Sequence, residues 1–288
     1  MQGWAMEDRL SEDRLSEERL SEERLSEEGP VEGTYAEPFQ RRTVSFVRRD
    51  NRLSARLQRA WDAHHESLVI DVPRARGSMS VAPGFVLDAD RHFGRAAPLV
   101  VEIGSGTGDA VIEGARARPG TDFLAVEVYR PGLAVTLAKI VRHDLTNVRL
   151  VQADAMQVLE HMVGRESVEE IWVFFADPWH KVRHRKRRLV NPGFAGLAAS
   201  RLVRGGTLRL ATDWPDYARQ MCDVLGDCDS LTNPHDGALT PTRALAGPAS
   251  GDREAGFAPR FEGRVMTRFE QKGLALGRTI YDLELQRA

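Results

Sequence analysis

Residues 99–109 read Leu-Val-Val-Glu-Ile-Gly-Ser-Gly-Thr-Gly-Asp, an apolar run that leads into a glycine-rich turn. A helical pattern of apolar residues follows from Ala110. A strand, a glycine turn and a helix start are typical of the first βα unit of a nucleotide-binding sheet. Glycine lets the backbone turn tightly and approach a ligand closely. The stretch therefore predicts a ligand-binding turn that carries Gly104, Gly106 and Gly108.

The spacing of this turn argues against a dinucleotide cofactor. The fingerprint G-x-G-x-x-G would put a third glycine at position 109, where this chain has Asp109. Glu127 lies at the end of the next apolar run, which suits a carboxylate that binds ribose hydroxyls. Together with Glu102, just before the turn, these residues predict an adenosyl ligand without a pyrophosphate and disfavour an NAD-dependent dehydrogenase.

Apolar runs and helical patterns alternate along the rest of the chain, which predicts a doubly wound, parallel α/β sheet. The predicted strands cover residues 98–103, 122–128, 148–152, 171–175, 207–211 and 278–286. The predicted helices cover residues 109–117, 131–143, 156–163, 192–203 and 215–225. The run at 171–175 is apolar throughout, so we expect this strand to be central and buried on both faces.

Charge is divided unevenly along the 288 residues, although the net charge is only −2. Residues 1–37 carry 12 acidic and four basic side chains, and residues 9–28 are four tandem Arg-Leu-Ser-Glu-Asp/Glu pentads. A five-residue period separates successive leucines by about 140° on a helix and makes no apolar stripe. We expect an acidic, low-complexity, disordered tail. The alternative is that this acidic segment competes with RNA for the basic face of the remaining chain.

The remaining residues, 38–288, are expected to form one domain with an excess of positive charge. Its first segment, 41–61, is basic and is either a leader helix or an arm that touches a phosphate backbone. Residues 65–97 are predicted to be a connecting loop. Residues 232–262 are rich in Gly, Pro and Ala and predict an expanded surface loop.

Cysteine content and hydropathy predict the compartment. Cys222 and Cys228 are spaced neither as a metal knuckle nor as a disulfide framework. No apolar run approaches the ~20 residues that span a bilayer, and the acidic N-terminal segment lacks the apolar core of a secretory signal. We expect a cytoplasmic protein with no membrane association, and no obligate protein partner is evident.

An acidic residue lies at the end of almost every predicted strand. These residues are Glu102, Glu127, Asp154, Asp177 and Asp213. The carboxyl ends of parallel strands meet at one edge of the sheet, where ligands bind. A single acid there is commonly a helix N-cap, but five in succession indicate a cluster that attracts a cationic ligand, such as the sulfonium of S-adenosylmethionine.

Asp177-Pro178-Trp179 follows the most apolar strand and precedes a basic run at 181–188. Proline makes the turn rigid, and the tryptophan is either a stacking face for a nucleobase or a core residue. A charge run is commonly solvated surface, but beside a ligand site it favours contact with a polyanion. Metal binding by His180 and His184 is disfavoured because Lys181 and Arg183 lie between them.

Over residues 44–288, apart from the 232–262 loop, the chain resembles the bacterial tRNA (guanine-N7-)-methyltransferases of the TrmB type. The resemblance is carried by VEIGSGTG at 101–108, VEV at 126–128, QADA at 152–155, FFADPWHKVRHRKRR at 174–188, ATDW at 211–214, and TRFE at 267–270 followed by Gly273. It implies a Rossmann-like class I methyltransferase with a mostly parallel, seven-stranded sheet and helices on both faces. It also implies methyl transfer from S-adenosylmethionine to N7 of guanine at position 46, in the tRNA variable loop, without a metal.

The motifs and the resemblance together give the expected site. The expected cofactor-binding residues are Glu102, Gly104, Gly106, Gly108, Glu127, Asp154 and Asp177, and Asp177 is also the expected catalytic carboxylate. The residues expected to bind tRNA are Lys181, Arg183, Arg185, Lys186, Arg187, Arg188, Asp213, Thr267, Arg268, Phe269 and Glu270. Val182 interrupts the lysine-rich pattern that is usual in the family's basic loop, and Val265 stands where a proline often precedes the TxFE segment.

Two other functions remain open at the level of sequence. One is a methyltransferase that acts on a protein or a small molecule, since the fold alone does not determine the substrate. The other is an RNA-binding protein that keeps the fold without the chemistry. The basic run and the TRFE block weigh against the first, and the five acids weigh against the second.

Overall fold

The strands whose sequences are apolar throughout form the centre of the sheet. The structure is a computed structural model that describes residues 52–235 and 256–288, with the side chain of Arg268 excepted. In it, β1 (Leu99–Ile103) and β2 (Asp122–Val126) are buried at every position. In β4 (Val168–Phe174), residues 171–174 are buried as well, whereas Glu169 is exposed. Burial of both faces at these strands agrees with the prediction for a parallel sheet covered on two sides.

The described residues contain a seven-stranded sheet with the strand order β3-β2-β1-β4-β5-β7-β6. The outer strands are β3 (Val148–Val151), β5 (Leu202–Thr212), β6 (Leu231–Thr232) and β7 (Tyr281–Arg287). Strands β1 to β5 are parallel, whereas β7 is antiparallel to both β5 and β6. The predicted mostly parallel α/β fold is confirmed, and the strand order reverses between β1 and β4, the position where such sheets bind ligands.

Helices cover both faces of the sheet. They are α1 (Ala55–Leu68), α2 (Ala89–Phe93), α3 (Asp109–Ala117), α4 (Arg130–Arg142), α5 (Ala155–Gln157), α6 (Pro192–Arg201), α7 (Pro215–Gly226) and α8 (Arg268–Ala275). On one face Trp61 of α1, Val111 of α3 and Leu137 of α4 pack into one apolar cluster. Phe194 of α6 and Tyr217 of α7 belong to the cluster on the other face. The two clusters hold the sheet in place between two helical layers.

The region before the sheet differs from its prediction, because 65–97 is not one connecting loop. The leader helix, α1, extends to Leu68, and α2 lies inside the predicted loop. After α1 the chain forms an isolated parallel bridge between Val69 and Leu150 of β3. Buried Trp61 anchors α1, with the Arg130 guanidinium 5.0 Å from its ring centroid. Helix α1 is therefore attached to the core through Trp61.

Other boundaries also differ from the predictions. β5 begins at Leu202 because a shift of register between β4 and β5 admits the Gly205-Gly206 pair, which interrupts the apolar pattern. The predicted helix at 156–163 is α5 followed by a π-helical turn, Val158–Met162. The two-residue strand β6 and helix α8 were not predicted, and the last strand is 281–287 rather than 278–286.

Several predictions lie outside the described residues. They concern the acidic tail at 1–37, the basic segment up to residue 51, and residues 236–255 of the expanded loop. The end of that loop packs into the protein, since Phe257 is fully buried and the Ala258 N–H donates to the Asp282 carbonyl at 2.9 Å. In the described part of the chain, no helix combines the length and the apolar character that a membrane crossing requires.

Candidate active site

The five predicted acids all lie at the carboxyl edge of the parallel strands. Glu102 is in β1, Glu127 directly follows β2, Asp154 and Asp177 each come three residues after the ends of β3 and β4, and Asp213 directly follows β5. We call this set the acid edge. The acids share one edge of the sheet, as the sequence predicted, because these five strands run in the same direction.

The glycine turn between β1 and α3 is open on one side and tightly packed on the other. Gly104 and Gly106 have φ values of +71° and +55°, and a Cβ at either position would meet no heavy atom within 4 Å. A Cβ at Gly108 would lie 2.3 Å from a Thr136 side-chain carbon, and one at Gly132 would lie 2.4 Å from the Gly106 carbonyl oxygen. The start of α4 thus supports the turn from behind and leaves space in front of it.

Glu127 fixes this turn as well as lying beside it. Its Oε2 accepts a hydrogen bond from the Gly106 N–H at 2.9 Å, and its Oε1 accepts from the N–H groups of Val128 and Tyr129 at 2.7 and 2.9 Å. A carboxylate offers about four acceptor sites, so acceptor capacity remains for a ligand. The sequence pattern predicted a ligand role for Glu127 and gave no sign of this structural one.

Glu102 is buried beneath the turn. Its Oε2 accepts a hydrogen bond from the Val111 N–H at 3.0 Å, at the start of α3. Burial, reinforced by the nearby carboxylates of Asp109 and Glu127, raises the pKa of Glu102 to about 8, against the lowering effect of the Val111 N–H and Lys139. At neutral pH, Glu102 is therefore mostly protonated in this structure.

Asp154 caps a helix. Its Oδ1 accepts hydrogen bonds from the Met156 and Gln157 N–H groups at 3.0 and 3.3 Å, as an N-cap carboxylate does. Three of the five acids therefore accept backbone N–H groups at the strand-to-helix connections. Hydrogen bonds to backbone N–H groups therefore explain more of the acidic pattern than the sequence alone indicated.

The basic run forms a 3₁₀ segment, Val182–Arg187, which we call the basic turn. Lys181, Arg183, Lys186 and Arg187 are exposed, and partly buried Arg185 forms an ion pair with Asp216 at 3.2 Å. Arginine and lysine side chains on an exposed turn match the chemistry of phosphate contact.

Arg188 does not have the expected exposure. It is buried, and its guanidinium donates to the Pro178 carbonyl, to Gln220 Oε1 and to Asp216 Oδ2 at 2.7, 2.9 and 2.7 Å. The prediction that Arg188 contacts tRNA is corrected, because these bonds occupy its side chain inside the protein. Arg188 instead ties the Asp177-Pro178-Trp179 turn to α7.

Trp179 lies beside the basic turn and is half-buried. It is therefore neither a fully exposed stacking face nor a core residue. Its backbone has a φ of +44°, and its ring lies edge-on to His184 with the Arg187 guanidinium 5.0 Å from the ring centroid. His180 lies against a different tryptophan, Trp214. No cluster of three or more His, Cys, Asp or Glu side chains suited to a metal ion occurs within residues 52–235 and 256–288.

The TRFE block, Thr267–Glu270, begins α8. Thr267 caps the helix by accepting the Glu270 N–H at 3.1 Å, and Phe269 is 69% exposed. Glu270 is buried and accepts from Arg260 Nε at 2.8 Å and Arg264 Nη2 at 3.0 Å. Burial alone would raise the pKa of Glu270, but these two guanidinium groups outweigh it and lower the pKa.

These contacts correct the expectation that Glu270 binds tRNA directly, since its carboxylate is enclosed by protein. Buried Arg264 also pairs with Asp282 of β7, and its guanidinium lies 5.5 Å from the ring centroids of Phe174 and Phe175. Arg264 thereby joins α8 to the ends of β4 and β7. Nothing in the sequence pattern distinguished Arg264 from the other arginines.

Comparison with known proteins places this geometry in a family. A family model described as "putative methyltransferase" matches residues 96–283. A protein of Paenarthrobacter aurescens named tRNA (guanine-N(7)-)-methyltransferase is 47% identical over 281 residues, covering 87% of this chain and 92% of its own. Proteins of the same name from Cutibacterium acnes and Burkholderia ambifaria are 48% and 43% identical, covering 86% and 84% of this chain and 84% of each relative.

The buried state of Glu102 predicts a pH dependence of stability. The unfolded chain ionises Glu102 near its ordinary pKa of 4.5, whereas the folded protein holds the proton up to about pH 8. Between these values the unfolded state binds fewer protons, so this group lowers the free energy of unfolding by up to about 1.4 kcal/mol per pH unit. Glu102→Gln keeps an acceptor for the Val111 N–H and cannot ionise.

The stability of Glu102→Gln relative to the wild type should therefore rise across this window and level off above pH 8. Urea unfolding followed at a series of pH values measures the difference. Glu113→Gln, on the exposed side of α3, is the control. Parallel stability curves for Glu102→Gln and the wild type would contradict the burial argument.

Proposed function

This chain belongs to the tRNA (guanine-N7-)-methyltransferase family, and we propose that it methylates N7 of a guanine in tRNA with S-adenosylmethionine as the methyl donor. We propose further that this guanine is at position 46, in the variable loop. A cytoplasmic location follows from the tRNA substrate.

The observation that carries this proposal is that the basic turn directly follows an acid-edge residue, Asp177, along the chain. Asp177 at the end of β4 is followed within a few residues by exposed Lys181 and Arg183. Acids suit a cationic cofactor, and exposed basic side chains suit the phosphates of a nucleic acid. The chain therefore offers both requirements of an RNA methyltransferase on one edge of one sheet.

The residues of the glycine turn fit the proposed cofactor. The space in front of Gly104 and Gly106 admits a ligand against the backbone, and the buried Ser105 hydroxyl has no hydrogen-bond partner among the described residues. When bound, S-adenosylmethionine supplies a methyl group on a positively charged sulfur. In the proposal Glu127 binds the ribose hydroxyls, while Glu102 and Asp154 complete the cofactor site.

The reaction requires alignment of guanine N7 with the methyl group more than it requires proton transfer. Guanine N7 carries a lone pair in the plane of the base and needs no deprotonation before it attacks. The task of the protein is then to hold N7 in line with the reacting methyl group. We assign this task to Asp177, which would accept hydrogen bonds from the N–H edge of guanine and offset the positive charge of the product.

The proposed tRNA-binding surface is narrower than the sequence indicated. It comprises Lys181, the exposed side chains of the basic turn, Asp213 and the exposed part of α8 with Phe269. Arg188 and Glu270 act instead as internal ties that hold the basic turn and α8 in place.

The first test is product formation. Purified protein, S-adenosylmethionine and an unmodified tRNA transcript with guanine at position 46 should yield 7-methylguanosine, detected by mass spectrometry of the digested RNA. A transcript with adenine at position 46 should yield none. Cofactor binding without any RNA product would favour a methyltransferase with a protein or small-molecule substrate. Absence of both would favour a non-catalytic RNA-binding protein.

The role of Asp177 predicts a split between chemistry and cofactor binding. Asp177→Ala should lower kcat at least about 100-fold, because misplacement of the base costs a factor of this size. The affinity for S-adenosylmethionine, measured by calorimetry without tRNA, should change little. An equal loss of turnover and cofactor affinity would contradict the guanine-orienting role.

The basic turn predicts a salt-dependent effect. Arg183→Ala/Lys186→Ala should weaken tRNA binding and reduce the slope of log Kd against log[salt] by about one for each phosphate that the variant no longer neutralises. Arg204→Ala is the matched control, because Arg204 is exposed at the opposite, amino end of β5. A double variant with the wild-type slope would refute phosphate binding by these two side chains.

A further inference from the structure

The end of α8 returns the chain to the acid edge. Gly277 adopts a left-handed conformation with a φ of +68°. The Gly277 N–H donates to the Leu274 carbonyl and the Arg278 N–H donates to the Gly273 carbonyl, both at 2.9 Å. This pair of bonds is the Schellman closure of a helix. The backbone of Arg278 is therefore fixed by the cap of α8.

From this position Arg278 binds the last acid of the edge. Its Nη1 lies 2.7 Å from Asp213 Oδ2, and its guanidinium lies 5.5 Å from the ring centroid of Trp214. A Cβ at Gly273 would lie 3.1 Å from the same Asp213 oxygen, so a glycine there lets α8 approach this closely. Among the described residues, Asp213 Oδ1 accepts no hydrogen bond. Arg278 thus holds one carboxylate oxygen and leaves the other for a ligand.

Trp214, which contacts the Arg278 guanidinium, also contacts the turn that carries Asp177. The ring of Trp214 packs edge-on against His180, with the ring centroids 4.0 Å apart. His180 directly follows Asp177-Pro178-Trp179. The ion pair between Arg278 and Asp213 therefore lies next to an edge-to-face ring contact that joins the loops after β4 and β5.

We propose that Arg278 is a positioning residue, which orients the Asp213 carboxylate so that its second oxygen binds the N–H edge of the target guanine together with Asp177. This inference rests on the proposed function and deepens it. A guanidinium suits the task because it is planar, always charged and able to lie on an aromatic ring while it binds a carboxylate. Without it, Asp213 would sample several rotamers, and the bound guanine would be held less uniformly.

The experiment is a double-mutant cycle between Arg278 and Asp213 in the full-length protein. Arg278→Gln should lower kcat about tenfold or more while KM for tRNA changes little, because phosphate contacts dominate tRNA affinity. Asp213→Asn should lower kcat as well. The double variant Arg278→Gln/Asp213→Asn should match Asp213→Asn within about twofold, since Arg278 acts through Asp213. Independent, multiplying reductions in kcat would overturn the proposal.

Three controls separate positioning from folding. Arg95→Gln removes an arginine that is 38% exposed, like Arg278, and paired with Asp122 at the amino end of β2; its kcat should be unchanged. Each variant should bind S-adenosylmethionine with the stoichiometry and affinity of the wild type, which excludes a decrease in folded protein. Arg278→Lys, which keeps the charge but not the planar group, should recover part of the missing turnover.

The outcomes distinguish a failure of the proposed function from a failure of the role of Arg278. If the wild-type protein forms no 7-methylguanosine, the proposed function fails. If the wild type is active and Arg278→Gln retains full turnover, the proposed function stands and the role of Arg278 is overturned.

Discussion

Burial of β1 and β4 on both faces is the constraint on which the rest of the structure depends. Two apolar faces require helices on both sides, and helices connecting parallel strands bring the carboxyl ends of those strands to one edge. The backbone N–H groups at these strand-to-helix connections need acceptors. Glu102, Glu127 and Asp154 supply them. The carboxylates that complete the fold therefore also lie at the edge where we propose that the cofactor binds.

Arginines make the surroundings of this edge rigid. Arg188 and Arg264 are both buried, and each binds acceptors from more than one element. A buried guanidinium without such partners would be strongly unfavourable, so each set of contacts holds the surrounding loops in one arrangement. Exposed side chains in the same stretches, such as Lys186 and Phe269, are therefore attached to backbone segments that these contacts hold rigid.

The sequence predicted those parts of the protein that depend on local pattern. The glycine turn, the central strand at 171–175 and the positions of the five acids follow from periodicity and from the direction of parallel strands. The pairing of charged side chains does not follow from such local patterns. In the run 181–188 every basic residue reads alike, and Arg188 is distinguished only by Asp216 and Gln220, which lie on α7. Arg278 likewise pairs with Asp213, which lies 65 residues earlier in the chain, directly after β5. Two-residue β6 is too short to produce a pattern of its own.

The position of β7 imposes an order on assembly. This strand lies between β5 and β6 and is their shared neighbour, although it comes last along the described chain. Until residues 281–287 have been synthesised, β6 has no strand to join and one edge of β5 stays open. Long-range pairing of this kind is slow to form, and an open edge is a template for strands of other chains. A ribosome that pauses between β6 and β7 would thus hold a nascent protein whose parallel strands are complete but whose β5 edge is still unpaired.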